Sequence, residues 1–255
     1  MITNLLETLI LSLVQGISEF IPVSSSAHLF LISNIYEFKN SSLKIDVSLH
    51  LGSLLAIIVY FRNDLINFFK EKELAKLIII GSLPLIFFGY FLLKSGYIEN
   101  LRNLKIISWT TLTFAILLYF ADRIKIDKSL KNDLSLKNIF IIGIFQVLAL
   151  VPGVSRSGIV MTAGRFLSFN RVDASKISFL LSIPALTGAS ILGLKDIVKE
   201  NFEMNIYVFL SIALSFFFSY ITIKYFLAYV KNFSLNIFVY YRIFLALILF
   251  VIAYN

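Results

Sequence analysis

Gln15-Gly-Ile-Ser-Glu-Phe-Ile-Pro-Val-Ser-Ser-Ser-Ala-His28 decides how this chain is read, because it sets an amide, a carboxyl, three consecutive hydroxyls and an imidazole inside otherwise apolar sequence. Leaving a hydroxyl or amide unpaired in a lipid-like interior costs roughly 2–7 kcal/mol, and an unpaired charge costs more. Polarity of this density is therefore not packing filler. Pro22 lacks an N–H and disfavours helix at Ile21, while Ser24-Ser25-Ser26 competes for backbone hydrogen bonds, so a helix is expected to break here. A break frees backbone N–H groups. Together with the hydroxyls and the N-terminus of the next helix, they make an anion site of the kind that cradles phosphate.

The surroundings of this stretch define its solvent. Of 255 residues 58% are hydrophobic and 15% charged, with 26 Phe and 12 Tyr, and the mean hydropathy is +0.87. That is the composition of an integral membrane protein. The absence of Cys removes disulfides, thiolate nucleophiles and Cys-ligated metals. A net charge of +8 would suit nucleic acid, but the Lys and Arg are spread through short loops between apolar runs, the pattern of membrane loops facing anionic lipid. No basic segment precedes the first apolar run, so that run is expected to stay in the mature protein.

A spanning helix needs about 20 mostly apolar residues, somewhat fewer where flanking residues snorkel. Segments 47–61, 75–94, 106–121, 176–195, 205–223 and 236–254 qualify. The expected architecture is all-α: a polytopic integral membrane protein, a single membrane domain over 1–255, with about six transmembrane helices. Segments 5–33 and 138–168 each carry a polar, Pro- and Gly-containing break near the middle, tolerated at membrane depth only where it is buried in protein or lines a cavity. Both are read as re-entrant helix-loop-helix hairpins. Gly16-Ile-Ser-Glu19 with Pro22-Val-Ser-Ser-Ser-Ala27 matches Gly143-Ile-Phe-Gln146 with Pro152-Gly-Val-Ser-Arg-Ser-Gly158, allowing a three-residue insertion. Three spans separate the copies, so they would open on opposite faces, an inverted-topology repeat over about 1–121 and 138–254. One side, made of loops that include Lys70 and Lys72 together with the second hairpin and its Arg165, holds twice the Lys and Arg of the other, which has Lys39, Lys44, Lys94, Arg102, Lys105, Lys195 and Lys199. The positive-inside rule puts the first set in the cytoplasm and opens the 15–28 hairpin outward.

Gln15 and Glu19, at i and i+4, share a helix face, and an amide paired with a carboxylate can hold a divalent cation; the plainer role for Gln15 is a helix–helix hydrogen bond. His28 is placed to act as general acid or base, with a satisfied core histidine as the alternative. His50, i+4 from Asp46, reads as helix packing or support around the site. Arg156 sits between Ser155 and Ser157, and a guanidinium fork beside two hydroxyls and flexible glycines suits a phosphate. An arginine at membrane depth is expensive enough to require a function.

At these residues the chain resembles the undecaprenyl-diphosphate phosphatases, the bacitracin-resistance type of bacterial inner-membrane enzyme. Gln15-x-x-x-Glu19 with Phe-Ile-Pro-Val-Ser-Ser-Ser-Ala-His28, and Pro-Gly-Val-Ser-Arg-Ser-Gly158, look like the family's paired signatures. The likeness extends through Asp46–Gly52, Gly81-Ser-Leu-Pro84 and Ser178–Pro184. It implies hydrolysis of undecaprenyl diphosphate to the monophosphate and phosphate, recycling the lipid carrier of peptidoglycan synthesis, with a divalent cation such as Mg2+ or Ca2+.

Carried over residue by residue, the resemblance makes Glu19, Ser25, His28 and Arg156 catalytic. Ser24, Ser26, Ser155, Ser157, Gly153, Gly158 and Thr162 would bind substrate, and Gln15 and Glu19 the metal. Ser25 is the first choice for a hydroxyl acting at phosphorus; a covalent phosphoserine and direct attack by water both remain open. Two departures from the family pattern stand out. Gln15 replaces a common Glu, and Val160 a common Thr, whose contact would fall to Thr162. The competing reading is a transporter or lipid flippase, since broken helices meeting at the midplane are also transporter architecture.

Overall fold

In the computed structural model, which describes residues 2–36, 43–70, 72–96, 100–199 and 206–254, the chain breaks at Pro22 as expected. Helix α1, Ile2–Ser18, stops one residue before Glu19, and α2, Ser25–Tyr36, starts two residues after Val23. Ser24 caps α2 with φ +77°, its Oγ accepting from Ala27 N at 3.4 Å. The second odd segment breaks in the same way. Helix α8, Leu136–Val147, runs through a short 3-10 turn into Pro152 and Gly153, and α9, Arg156–Phe166, follows. Its cap is Ser155, again with positive φ, +70°, its Oγ accepting from Gly158 N at 3.1 Å. A serine in the left-handed region is strained by about 1–2 kcal/mol, and the capping bond offsets part of that at each break.

The remaining helices are α3 (Leu43–Tyr60), α4 (Arg62–Lys70), α5 (Lys72–Ser95), α6 (Leu104–Ala121), α7 (Leu130–Asp133), α10 (Arg171–Lys199), α11 (Ile206–Asn232) and α12 (Asn236–Tyr254). No strand occurs among the described residues; Lys128 and Phe169 form one isolated bridge. Among the described residues five helices are long and apolar enough to cross a membrane: α5, α6, α10, α11 and α12. They coincide with five of the six expected segments. The sixth, 47–61, lies in α3, whose apolar stretch Ile45–Tyr60 is shorter. Lys39, and the side chains of Lys44, Lys70, Lys72, Lys195 and Lys199, lie outside the described residues.

The core is built by helices packed in related pairs. α3 lies against α11 and α10, α1 against α11, α5 against α8, and α12 against α6. A Cβ on Gly143 would run into the backbone of Gly81, and one on Gly16 into Phe218 and Ser219, so both crossings need glycine. Serines tie α3 to α11: Ser215 donates to Leu49 O at 2.7 Å, and Ser219 to Ser53 at 3.0 Å. Large apolar side chains such as Ile79, Leu83 and Phe87 stay exposed on α5, which suits a helix solvated by lipid.

At one end of the bundle, Asp122 gathers four elements. It accepts from Arg171 Nε at 2.7 Å, lies 3.4 Å from Arg165 Nε, and accepts from Leu235 N at 3.0 Å. Arg165, which the charge count assigns to the cytoplasmic end of the second odd segment, is buried at the end of α9, where its guanidinium also caps the carbonyls of Asp122 and Ile124.

Candidate active site

The two breaks bring their polar residues together. Glu19, 7% exposed, is the hub. Its Oε1 accepts from Arg156 Nη2 at 2.8 Å, joining the first break to the second. Its Oε2 accepts from Ser25 Oγ at 2.8 Å and from Gln15 Nε2 at 3.0 Å. Arg156 also donates to Ser178 O on α10 at 3.0 Å. Ser157 donates to Ile21 O at 2.8 Å, a second tie between the breaks.

These groups face a cavity of about 230 Å3 lined by Glu19, Ser24, Ser25, Ser26, His50, Ser155, Arg156 and Ser157, with Leu85, Leu150 and Leu186 among its apolar walls. The N-termini of α2 and α9 both reach it, since Ser25 and Ser26 begin one helix and Arg156 and Ser157 the other. Free N–H groups, the helix dipoles and a guanidinium converge on one space, which is favourable for a multiply charged phosphate. A second cavity, also about 230 Å3, shares Ser25, Ser26 and His50 and adds Asp46 and Arg102.

Other expected site residues sit differently. His28 is absent from both linings; its Nδ1 lies 2.7 Å from Ser24 O and its Nε2 2.6 Å from Tyr241 Oη on α12. Nδ1 must then donate to the carbonyl and Nε2 accept from the phenol, so both nitrogens are occupied. Gly153, at φ +89°, has its carbonyl held by Arg242 Nη2 at 2.9 Å. Gly158 serves the Ser155 cap, and Thr162 donates back to Gly158 O at 2.7 Å inside α9. None of these three lines the cavities.

Of the two expected metal ligands, Glu19 accepts hydrogen bonds at both oxygens and Gln15 turns its amide nitrogen toward that carboxylate. Gln15 Oε1 is left buried and without a hydrogen-bond partner among the described residues, an oxygen of the kind a divalent cation takes. Among the described residues no group of three His, Cys, Asp or Glu side chains could hold a metal.

Sequence reasoning missed Arg242, which is fully buried on α12 and braces the Gly153-Val154 turn. It is the one charge within 236–254, which was the signal available. Tyr241 beside it carried no such signal.

The sequence profile of the family described as "Bacitracin resistance protein BacA" matches residues 8–248. The chain belongs to this family. Among relatives of this BacA-family protein, the undecaprenyl-diphosphatase of Pelagibacter ubique (strain HTCC1062) is 56% identical over the whole of both chains. That of Alteromonas mediterranea is 38% identical over 96% of this chain and 97% of its own length. The family match covers both helix breaks and the residues that line the two cavities.

Proposed function

We infer that this BacA-family protein is a membrane phosphatase hydrolysing undecaprenyl diphosphate to undecaprenyl phosphate and inorganic phosphate, which returns the lipid carrier to peptidoglycan synthesis and confers bacitracin resistance. The observation that carries the site assignment is Glu19 bonded at once to Ser25 and Arg156. Binding alone would not need a carboxylate aimed at a hydroxyl, which is why the transporter alternative is not favoured.

In the mechanism that this geometry supports, the terminal phosphoryl group lies against Arg156 and the two helix N-termini. Ser25 Oγ attacks phosphorus, the new O–P bond forms as the bridging P–O bond breaks, and undecaprenyl phosphate leaves. The Ser25 proton passes to Glu19 Oε2, its acceptor at 2.8 Å. Water then hydrolyses the phosphoserine, phosphate departs, and the proton returns to Ser25. Phosphoryl transfer needs mainly positioning and charge stabilisation, which Arg156 and the backbone amides supply. His28 acts from behind: with both nitrogens bonded, it fixes the first turn of α2 against Tyr241. A divalent cation such as Mg2+ or Ca2+, held by Gln15 and Glu19, would offset the negative charge of the diphosphate.

The same reading makes 5–33 and 138–168 re-entrant hairpins related by an inverted repeat over about 1–121 and 138–254, with α3, α5, α6, α10, α11 and α12 as the six spans. Three facts support it: the paired positive-φ serine caps, the matched glycine crossings, and the correspondence of α1 against α11 with α8 against α5. The cavity would open to the outer face of the bacterial cytoplasmic membrane, with the isoprenoid tail between helices.

Phosphate release from undecaprenyl diphosphate by the purified protein in detergent, with and without EDTA, tests the reading. Release abolished by Ser25→Ala and Arg156→Ala in folded protein is expected. A folded wild type that releases none, with Mg2+ or Ca2+ supplied, would refute it.

A further inference from the structure

The sequence assigns His50 to helix packing or to support around the site; in the structure it stands where the two cavities meet. Among the described residues only three side chains line both: Ser25, Ser26 and His50. The imidazole is 32% exposed where Glu19 beside it is 6% exposed, so one edge is open. The other edge is held, with Nδ1 2.9 Å from Gln15 Nε2.

The direction of that bond follows from the carboxylate. Gln15 must present its NH2 to Glu19 Oε2, since an amide oxygen there would face a negative charge. The second hydrogen of the same NH2 then points to His50, so Nδ1 is the acceptor. A neutral imidazole with an accepting Nδ1 carries its proton on Nε2. That N–H has no hydrogen-bond partner among the described residues. Asp46 one turn earlier on α3 and Arg102 line the second cavity on the same side.

We propose that His50 is a substrate-contacting residue, its Nε2–H donating a hydrogen bond to the terminal phosphoryl group held over Ser25 and Arg156. The inference rests on the phosphatase reading and extends it. Gln15 thereby gains a role other than metal binding: it relays the orientation of Glu19 to His50, so one amide sets both the acceptor for Ser25 and a donor for the phosphate. A donor placed at the wall between the cavities remains beside the phosphate from the bound ester to the free product, so it is expected to affect substrate turnover and product affinity together.

The test is steady-state release from undecaprenyl diphosphate, with inorganic phosphate as competing product, for wild type, His50→Ala and His50→Gln, each checked for folding by thermal unfolding in detergent. Loss of one hydrogen bond to a charged group corresponds to roughly a tenfold to hundredfold fall in kcat/KM. His50→Ala should show that fall and a parallel rise in the phosphate inhibition constant, which a packing role would not move. His50→Gln keeps an acceptor for Gln15 and a donor for phosphate and should stay within about threefold of wild type. Folded His50→Ala with unchanged kcat/KM and unchanged phosphate inhibition would overturn the inference while leaving the phosphatase standing, and so would His50→Gln as impaired as His50→Ala. A wild type inert toward the lipid diphosphate would remove both readings together.

Discussion

Replacing Glu19 by Gln keeps shape and removes charge at the point where the two helix breaks meet. The amide can keep one oxygen for Arg156 Nη2, now 2.8 Å from Glu19 Oε1. Its NH2 then faces Ser25 Oγ and Gln15 Nε2, which donate to Oε2 at 2.8 and 3.0 Å, so the Gln15 contact becomes donor against donor and Ser25 Oγ turns from donor to acceptor. Ser25 loses its proton acceptor. A positioned base contributes typically about 10²–10⁴-fold, or about 3–5 kcal/mol of transition-state stabilisation, and kcat should fall by that factor. Stability should drop less than the roughly 3–5 kcal/mol seen when a buried pair is broken outright, because Arg156 retains Ser178 O. Phosphate release gives kcat, and thermal unfolding in detergent gives the folding control. A folded Glu19→Gln protein retaining more than a tenth of wild-type kcat would refute Glu19 as the acceptor of the Ser25 proton.

Arg156→Lys keeps the charge but cannot span both Glu19 and Ser178, so kcat/KM should fall roughly tenfold to hundredfold and recover only in part relative to Arg156→Ala; Lys equal to Arg in a full kinetic comparison would contradict the two-point role. Tyr241→Phe removes only the hydroxyl against His28 Nε2, and a net loss of about 1 kcal/mol predicts less than tenfold in kcat; a loss as deep as that of Ser25→Ala would make the His28–Tyr241 pair part of proton transfer. Asp122→Ala leaves Arg165 nearly buried and without its carboxylate, a cost of about 3–5 kcal/mol; thermal unfolding should show a large drop, while kcat at low temperature should hold.

Much of this protein is determined by the sequence alone, because the signals are local and expensive. An apolar chain with a polar, proline-broken segment at each of two related places specifies membrane helices and their interruptions, since backbone and charge cannot be left unsatisfied in lipid. Glu19, Ser25 and Arg156 were legible for the same reason, and they meet at hydrogen-bond distance. Tertiary structure decided which groups face the cavity. His28 lies three residues after Ser25 on α2, yet it turns to Tyr241, 213 positions away; His50, from another helix, takes the edge of the cavity beside Gln15. Arg165 is one more cytoplasmic-side charge by sequence and a buried ion pair by packing. A helix period tells which residues share a face, but the rotation of each helix about its axis is set by its neighbours. Here close crossings at Gly16 and Gly143 fix how α1 and α8 lie against α11 and α5, and with them the direction in which each polar side chain points.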